Sequence, residues 1–412
     1  MKKYFIIFSI LALMVLIGWF FLGRGTTPIV DVLRNNLPFG SGENLAGSNN
    51  EGGSTTEGEG GVSFDEFGQP TATLFRLAVE PVAGAVAFNK SSTTAAVRYV
   101  DRATGHIFEI ILPTGNASGA LEKKKITNRT LPKIYEAYFR LDGNAVLMRS
   151  LQNDSDTVEN ISLTLTPPRA TSTDGLYNVS ATTLRGDIES VAVGLGNTLY
   201  YSLKDSGSMV SSAFNNTALK TLLTSAFTDW RLSAAGNTVM VYTKASSNAP
   251  GYAYLLNLQN GALTKVLGPL DGLTVTPNAS GTHVLYSYLE NGLSKSMAKN
   301  LQSGATTGIL PVTFSEKCTW SVRNKGIAYC GSPRDGINPG ELDNWYRGAT
   351  HFSDRLWRFD TNGEIAQVLS EPKASLGLDI DVVEPKLSPN EDYLIFMNKR
   401  DLSLWALKLE QF

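Results

Sequence analysis

Neither sign of charge dominates this sequence, and charged residues of any kind are scarce. Its 36 Lys and Arg residues nearly balance its 38 Asp and Glu residues, giving a formal net charge of -2 over 412 residues. A nucleic-acid interface needs a strong positive field, so we expect no nucleic-acid partner. Only 18% of the residues are charged, whereas Gly, Ser, Thr and Asn are abundant. This composition favours short strands and many turns over long helices.

Histidine and the signatures of catalysis are also scarce. The three histidines, His106, His283 and His351, are far apart in the chain and make a poor zinc-binding set. No G-x-S-x-G nucleophile elbow occurs, and no βαβ region is left to carry one. The HExxH motif, the P-loop, the sialidase Asp-box and the D-x-D-x-D-G calcium loop are absent as well. The sequence therefore predicts no catalytic residue, no metal and no cofactor, and a protein that is not an enzyme.

Only two cysteines occur, Cys318 and Cys330, and their spacing is not the C-x-x-C spacing of a metal site. They lie in two strand-like runs, FSEKCTWSV and GIAYCGSP, at equal distances from Asn324. A hairpin that turns at Asn324 places them opposite each other, and an oxidising compartment allows them to bond. We predict a disulfide; the alternative is two buried free thiols.

One long hydrophobic run is present, at residues 4–22, with Lys2 and Lys3 before it. At about 1.5 Å per residue it spans roughly 28 Å, close to the thickness of the bilayer interior. The run is longer than the apolar part of a signal peptide, and no small-x-small cleavage site follows. We predict an uncleaved, single-pass signal anchor with residues 1–3 in the cytoplasm and the rest of the chain outside. The alternative is a cleaved signal peptide.

Residues 23–70 have the composition of a linker. Residues 40–61 (GSGENLAGSNNEGGSTTEGEGG) are rich in Gly and Glu and contain no Lys or Arg. Such a segment cannot bury enough apolar surface to fold, so we predict a flexible tether. Residues 29–39 (IVDVLRNNLPF) are more apolar and fit a partly ordered linker, a short juxtamembrane helix or a docking peptide.

From residue 71 onward a tight turn followed directly by an apolar strand recurs seven times. The instances begin at the following residues: Gly84, Gly143, Gly196, Gly236, Gly281, Gly326 and Asp392. A repeat of about 40 to 50 residues built of strands alone is typical of a propeller blade. We therefore predict an all-β, seven-bladed β-propeller over residues 71–412, with six or eight blades as alternatives. The predicted blades cover residues 78–115, 130–167, 184–224, 227–267, 271–310, 315–370 and 378–412.

Two further patterns support this architecture. A turn of the form Asp or Asn, a few polar residues, then Gly begins at Asp101, Asn257, Asn300 and Asp360, and it predicts hairpins between the two outer strands of a blade. The last predicted blade has only three strands, because no sequence remains after its third. We expect the run TATLFRLA, which precedes the first blade, to supply the fourth strand and so close the ring.

The last repeat, LSPNEDYLIFMNKRDLSLWALKL, resembles the WD40-like (PD40, TolB-type) repeat of bacterial propellers. It has the Ser-Pro pair before a turn, an acidic residue at the turn, an apolar strand and a final L-W-x-L strand. The layout is also similar to membrane-anchored propeller proteins of small-genome bacterial lineages. This resemblance implies a fold and does not imply an activity.

The longest interval between turn marks, from Gly326 to Asp392, contains an extra segment at residues 331–359. Its loop is rich in aromatic and charged residues, the usual material of a binding surface on a rigid scaffold. We predict a binding site formed by Asp343, Trp345, Tyr346, Arg347, His351 and Asp354. The alternative is structural: the aromatic rings fold back and cap the propeller.

Two other charged stretches have simpler interpretations. The basic run of Lys123, Lys124 and Lys125 is expected to be a solvated loop. Asp379 and Asp381 lie on one strand face with Glu384 nearby, which fits a solvated strand edge or, alternatively, a calcium site.

We therefore expect a membrane-anchored, extracytoplasmic propeller that acts as a non-catalytic scaffold or recognition module for an envelope protein or glycan. One alternative is an enzyme or cofactor-binding protein with its site in the central channel. Another is a structural subunit of an envelope secretion or pilus machine. A channel site predicts converging carboxylates or perturbed titratable groups at the axis, whereas a recognition module predicts an exposed aromatic patch at Trp345 and Tyr346.

Overall fold

Seven antiparallel sheets of four strands each make up the described part of the chain, as predicted. The computed structural model describes residues 73–92, 94–113, 121–151, 157–169 and 174–409. The predicted cytoplasmic tail, anchor and linker lie outside these residues. Among the residues described, no helix combines the length and the apolar character needed to cross a membrane.

Strand β1 (Leu74–Ala78) comes first in the described part of the chain and belongs to the last blade. Blade 1 contains β2 (Val82–Asn89), β3 (Ala95–Asp101), β4 (Ile107–Ile111) and β5 (Lys123–Lys125). Blade 2 contains β6 (Ile134–Phe139), β7 (Ala145–Leu151), β8 (Val158–Thr166) and β9 (Asn178–Leu184). Blade 3 contains β10 (Ile188–Val193), β11 (Thr198–Leu203), β12 (Met209–Ala213) and β13 (Lys220–Leu223).

The remaining blades follow the same order. Blade 4 contains β14 (Trp230–Ala235), β15 (Thr238–Thr243), β16 (Pro250–Asn257) and β17 (Leu263–Asp271). Blade 5 contains β18 (Thr274–Pro277), β19 (His283–Glu290), β20 (Leu293–Asn300) and β21 (Thr306–Gly308). Blade 6 contains β22 (Cys318–Trp320), β23 (Ile327–Pro333), β24 (Asp354–Asp360) and β25 (Ile365–Ser370), with α1 (Glu341–Tyr346) between β23 and β24. Blade 7 follows α2 (Pro372–Leu376) and contains β26 (Val382–Leu387), β27 (Tyr393–Asn398) and β28 (Leu404–Lys408).

The first strands of the seven blades contact one another in a closed ring, from β2 through β26 and back to β2. Each blade is an antiparallel meander. The first strand of a blade therefore begins on the same side of the propeller as the connection between its second and third strands. We call this side the upper face and the opposite side, where the first-to-second turns lie, the lower face.

The predicted closing strand is confirmed. β1 pairs with β28 at the outer edge of blade 7, with Leu74 opposite Leu407 and Phe75 opposite Ala406. Leu74 and Phe75 are both buried. Residues from the two ends of the described chain thus complete one sheet, which removes two strand edges that would otherwise be open to pairing.

The core lies between neighbouring blades. The second strands of blades 1, 6 and 7, which are β3, β23 and β27, are buried along their whole length because a blade packs on each side of them. Outer strands such as β13 and β25 are largely exposed. This arrangement explains the short apolar runs in the sequence, because a strand that is buried on both faces does not alternate.

Six of the seven predicted turn marks lie between the first and second strands of a blade. The exception is Gly84, which lies inside β2; the first-to-second connection of blade 1 follows Asn89 and precedes Ala95. A Cβ atom at Gly84 would lie 2.1 Å from the carbonyl oxygen of Ala137 in the next blade. This glycine is thus needed for the close approach of two blades and does not make a turn.

The second turn pattern joins the third and fourth strands of a blade at Asn257, Asn300 and Asp360, as predicted. At Asp101 it joins the second and third strands instead. In each case a side-chain oxygen accepts a hydrogen bond from a backbone N–H two or three residues later, at 2.7–3.0 Å. The pattern specifies an Asx turn, and an Asx turn can connect any two adjacent strands.

The predicted ends of the first two blades were wrong. Lys123, Lys124 and Lys125 form β5, the outer strand of blade 1, and not a solvated loop. Blade 2 likewise continues to Leu184 through β9. Outer strands of this kind are exposed and polar, so they lack the apolar pattern by which strands are recognised. β5 is held instead by its ladder with β4 and by the Lys123 ammonium, 4.7 Å from the centre of the Phe108 ring.

The predicted disulfide is present. Cys318 of β22 and Cys330 of β23 lie directly opposite each other and are bonded. The turn between the two strands includes Asn324, whose carbonyl accepts a hydrogen bond from the Ile327 N–H at 2.9 Å. Both sulfur-bearing residues are buried beside Trp320 and Phe359.

Candidate functional site

The extra segment of blade 6 is an insertion between β23 and β24 that includes helix α1. As a connection between a second and a third strand, it lies on the upper face. Gly340, at a φ of 79°, precedes the helix, and the carboxylate of Glu341 accepts hydrogen bonds from both nitrogens of Asn338. The Asp343 carboxylate accepts the Ser247 N–H of blade 4 at 3.3 Å. The insertion therefore reaches from blade 6 to blade 4.

Trp345 does not form the exposed aromatic patch that was predicted. Its side chain is 3% exposed and packs against Phe314, Leu342 and Phe352. Six-residue α1 presents an apolar face at Leu342 and Trp345, so the hydrophobic effect drives these side chains into the propeller. For Trp345 the capping alternative describes the structure.

A buried ion cluster lies beneath this cap. The ammonium of Lys317 contacts Oδ2 of Asp354 at 2.7 Å and also contacts Asp381, and all three side chains are fully buried. Asp381 accepts further hydrogen bonds from Trp345 Nε1, at 3.0 Å, and from the Phe352 N–H, at 3.1 Å. The cluster joins the insertion to the first strands of blades 6 and 7.

Asp354 and Asp381 therefore differ from what the sequence suggested. Asp354 is interior and cannot contact a partner from the surface. Asp381 is neither part of a solvated strand edge nor arranged for calcium, because a lysine occupies its carboxylate. Burial raises the pKa of Asp354 to about 6, despite the opposing effect of Lys317. Its Oδ1 atom has no hydrogen-bond partner among the described residues, so the negative charge of Asp354 is incompletely compensated.

Three of the predicted residues, Asp343, Tyr346 and Arg347, line a cleft between α1 and the upper edge of blade 4. The cleft has a volume of about 940 Å³. Its remaining walls come from blade 4 and the segment before it, with the following side chains prominent: Phe227, Asp229, Trp230, Lys244, Asn248, Pro250, Tyr252 and Tyr254. Three residues of the predicted site therefore line one cleft, and most of the aromatic surface of that cleft comes from another blade.

The aromatic wall of the cleft is a connected row of rings. Tyr252 and Tyr254 project from alternate positions of β16, with ring centres 6.5 Å apart and planes 23° from parallel. Trp230 packs edge-on against Tyr254 at 6.1 Å, and Phe227 packs edge-on against Trp230 at 4.8 Å. Trp230 Nε1 donates to Ser225 Oγ at 3.0 Å. Each ring is held by its neighbour, so the wall is ordered without a ligand.

Charged groups of both signs surround this wall. Asp229 and Lys244 are exposed, and neither makes an ion pair with a described residue. On the α1 side, Arg347 donates from Nη2 to Asn344 Oδ1 at 2.6 Å, which fixes its guanidinium beside Asp343. With two acidic and two basic side chains, the cleft carries no net charge.

His351 is exposed and does not line this cleft. Its Nδ1 atom lies 3.7 Å from Oδ2 of Asp381, and its carbonyl accepts a hydrogen bond from Arg400 of blade 7. The predicted set of six residues therefore divides in two. Asp343, Tyr346 and Arg347 line the cleft, whereas Asp354 belongs to the buried ion cluster and Trp345 and His351 lie against it.

Tyr346 also makes a hydrogen bond away from α1. Its hydroxyl donates to Oε1 of Glu316, which precedes β22, at 2.7 Å. Burial raises the pKa of Glu316, while the Tyr346 hydrogen bond and the charge of Arg231 on β14 oppose that rise. Arg231 therefore acts on Glu316 from two blades away, with blade 5 between them. Arg231 is itself paired with Glu189 of blade 3 at 2.9 Å.

Sequence reasoning missed the blade 4 side of the cleft. Tyr252 and Tyr254 have the alternation of an ordinary strand, and Trp230 looks like the first core residue of a blade. Only the insertion, which is almost a hundred residues further along the chain, brings a second wall to these rings. Within the residues that the structure describes, no group of three or more His, Cys, Asp or Glu side chains is arranged to hold a metal ion.

Comparison with known proteins yields similar folds. No known family profile matches the chain, and no curated protein matches its sequence. An oligogalacturonate lyase solved with manganese is 10% identical with a TM-score of 0.49, over 80% of this chain and 97% of that one. A streptogramin B lyase is 11% identical with a TM-score of 0.47, over 82% and 97%. A putative TolB from Agrobacterium tumefaciens is 14% identical with a TM-score of 0.40, over 58% and 78%. Identities this low carry no information about activity, substrate or partner.

Proposed function

We propose that this propeller is a non-catalytic recognition module that binds an envelope protein or glycan in the cleft between α1 and blade 4. The observation that carries the proposal is the row of four aromatic side chains facing Asp343, Tyr346 and Arg347 across a volume of about 940 Å³. Clefts that combine ordered aromatic rings with a few charged groups are typical of ligand sites. The rigid sheets of blade 4 hold one wall, and the buried cap at Trp345 holds the other.

A photo-crosslinking amino acid in the cleft tests this proposal in native cells. Asn248 lines the cleft and is exposed, so a diazirine side chain there should capture the bound protein or glycan. Lys325, exposed on the lower face, is the matched control position. We expect a product that requires the cleft position and disappears when Ala249→Trp fills the cleft. Equal products from both positions, or none from either, would contradict the proposal.

The proposal includes an extracytoplasmic propeller, tethered to the membrane by residues 4–22 through the linker at residues 23–70. The Cys318–Cys330 bond supports this location, because disulfides persist in oxidising compartments. Protease treatment of intact spheroplasts tests it directly. We expect the propeller to be cleaved or released while a cytoplasmic control protein survives. Protection of the propeller would place it on the inner side of the membrane.

A site at the propeller axis is a second candidate, favoured by one observation. The Glu316 carboxyl is partly buried, has a raised pKa and lies near Tyr346, Tyr242 and Arg231. A perturbed acid in a concave position is a candidate for general acid–base chemistry. This alternative predicts that Glu316→Gln abolishes an activity while leaving capture at Asn248 intact. The recognition proposal instead predicts that Tyr252→Ala weakens binding, whereas Glu316→Gln leaves binding intact.

A further inference from the structure

We infer that the ligand of this cleft is a neutral oligosaccharide that stacks on Tyr252 and Tyr254. The inference rests on the proposed function and specifies which class of envelope molecule the cleft accepts. Three observations support it. They are the shape of the aromatic wall, the charges around that wall, and the pairing of β16 with a strand on each side.

The aromatic wall matches a chain of sugar rings. A pyranose ring has an apolar C–H face, and an aromatic ring offers a flat apolar surface of similar size. Tyr252 and Tyr254 present two such rings in a row, 6.5 Å apart and nearly parallel. Their hydroxyls make no hydrogen bond to any described residue, so they are available to sugar hydroxyls. Two consecutive rings fit an oligosaccharide better than a single sugar.

The charged groups favour a ligand that is neutral and rich in hydroxyls. The two carboxylates of the cleft, Asp229 and Asp343, accept hydrogen bonds, and its two cations, Lys244 and Arg347, donate them. The four charges of the lining residues sum to zero, and Lys265 beside Tyr252 adds a single positive charge. A polyanion therefore gains only a small net attraction here, and a polycation gains none. A sugar hydroxyl both donates and accepts, so it satisfies groups of either kind.

A peptide strand is disfavoured by the position of β16. That strand is paired with β15 on one side and with β17 on the other. Its backbone groups are therefore not available to add an extended peptide to the sheet. An amphipathic helix needs a continuous apolar groove, and charged residues interrupt this one. A proline-rich segment, which also binds aromatic surfaces, is the peptide class left for the experiment to exclude.

The wall is also prepared for binding. Trp230 is held by Ser225, and Arg347 is held by Asn344. The Lys265 ammonium lies over one face of the Tyr252 ring, 5.2 Å from its centre, so a sugar must stack on the other face or displace it. Side chains that are already ordered lose little conformational entropy when a ligand arrives. Sugars lose strong hydration on binding, so preorganised contacts matter more for them than for apolar ligands.

A glycan array tests the inference, with the full chain purified in a polyoxyethylene detergent that has no sugar headgroup. The array carries neutral and acidic oligosaccharides of several linkages, and decaproline is a separate probe in calorimetry. We expect binding to at least one neutral oligosaccharide. Tyr252→Ala and Tyr252→Leu should each weaken that binding by about tenfold, the loss of one aromatic contact. Tyr288→Ala is the matched control, because Tyr286 and Tyr288 form a similar stacked pair on β19, outside the cleft.

The outcomes separate this inference from the proposed function. Binding only to acidic glycans, or binding that Tyr252→Ala and Tyr288→Ala weaken equally, would overturn the inference. Binding of decaproline alone, lost in Tyr252→Ala, would overturn it and leave the recognition cleft in place. If no probe binds but Asn248 still captures a product that Ala249→Trp abolishes, the ligand is not a neutral glycan. Circular dichroism of each variant confirms that a lost signal is not lost folding.

Discussion

The indole Nε1 of Trp345 lies 3.0 Å and 3.1 Å from the two carboxylate oxygens of Asp381. This shared hydrogen bond joins a helix inserted in blade 6 to the first residues of blade 7. Both side chains are buried, and the carboxylate also contacts the Lys317 ammonium. A polar contact therefore fixes where an apolar cap sits, and it places Tyr346 and Arg347 at the edge of the cleft.

Trp345→Ala should destabilise the protein by about 3–5 kcal/mol, because it removes a large buried side chain and leaves a cavity. Trp345→Phe should lower the free energy of unfolding by a smaller amount than Trp345→Ala. The loss should still exceed that expected from the smaller side-chain volume, because Asp381 loses a charge-assisted donor. Denaturant titration of both variants measures these effects. Exposed Val79→Ala is the control. If Trp345→Ala changes the free energy of unfolding no more than Val79→Ala, the cap is not a structural element.

Lys317→Met should destabilise the protein by about 3–5 kcal/mol, because it leaves Asp354 and Asp381 as buried charges without their cation. Lys373→Met is a matched control. Lys373 pairs with Asp379 at 2.8 Å, but both side chains are more than a third exposed, so that loss should be below about 1 kcal/mol. Thermal and chemical unfolding of the two variants provide the comparison. Similar losses would show that Lys317 is not the counterion of a buried cluster.

The stability of the protein should depend on the ionisation of Asp354. Burial raises its pKa from an ordinary 3.8 to about 6, which means that the folded state favours the protonated form. The contribution of this group to stability is therefore fully present below its ordinary pKa and is lost as the pH rises through about 6.

Asp354→Asn should reduce the loss of stability that accompanies the rise in pH through about 6. Asp379→Asn, which changes an exposed carboxylate, should leave that loss unchanged. The measurement is the free energy of unfolding at several pH values between about 4 and 7. Parallel pH profiles for the wild-type protein and Asp354→Asn would contradict the assignment.

The closing strand should contribute to global stability. Phe75→Ala, in β1, removes a fully buried ring that packs edge-on against Tyr393, and should cost about 3–5 kcal/mol. Hydrogen exchange should show faster exchange across blade 7 in this variant than across blade 3. Uniform acceleration in all seven blades would indicate that the sheet shared by the chain ends is not a local unit.

The architecture was predictable because turns and buried strands leave local marks. Gly143, Gly196 and Gly236 each adopt a positive φ at a first-to-second turn, and a core strand follows each one. Gly84 gave the same mark for a different reason, the close approach of Ala137, so in blade 1 the mark does not locate the first-to-second turn. Outer strands such as β5 were missed because exposed polar strands have no apolar pattern.

The site was only partly predictable, for a physical reason. The aromatic content of the insertion was visible, but the side of α1 on which each ring lies depends on what α1 packs against. Trp345 faces the core and Tyr346 faces the cleft, although they are adjacent. Asp381 looked like one of several acidic residues at a strand edge, and nothing local in the sequence indicates that Lys317 lies against it. Contacts between distant segments decide both cases.

The pairing of β1 with β28 brings Thr73 and Lys408 together, and the Lys408 N–H donates to the Thr73 carbonyl at 2.7 Å. The two ends of the described propeller therefore emerge at one point on its rim. A domain with adjacent ends can be inserted into a surface loop of a host protein without stretching that host. It can also be circularly permuted, by joining those ends through a short linker and opening the chain at an exposed hairpin such as the one at Gly292. In each permutant a different blade would be formed from both ends of the chain. Comparing the free energies of unfolding of these permutants would measure how much closure of the propeller ring depends on which strand closes it.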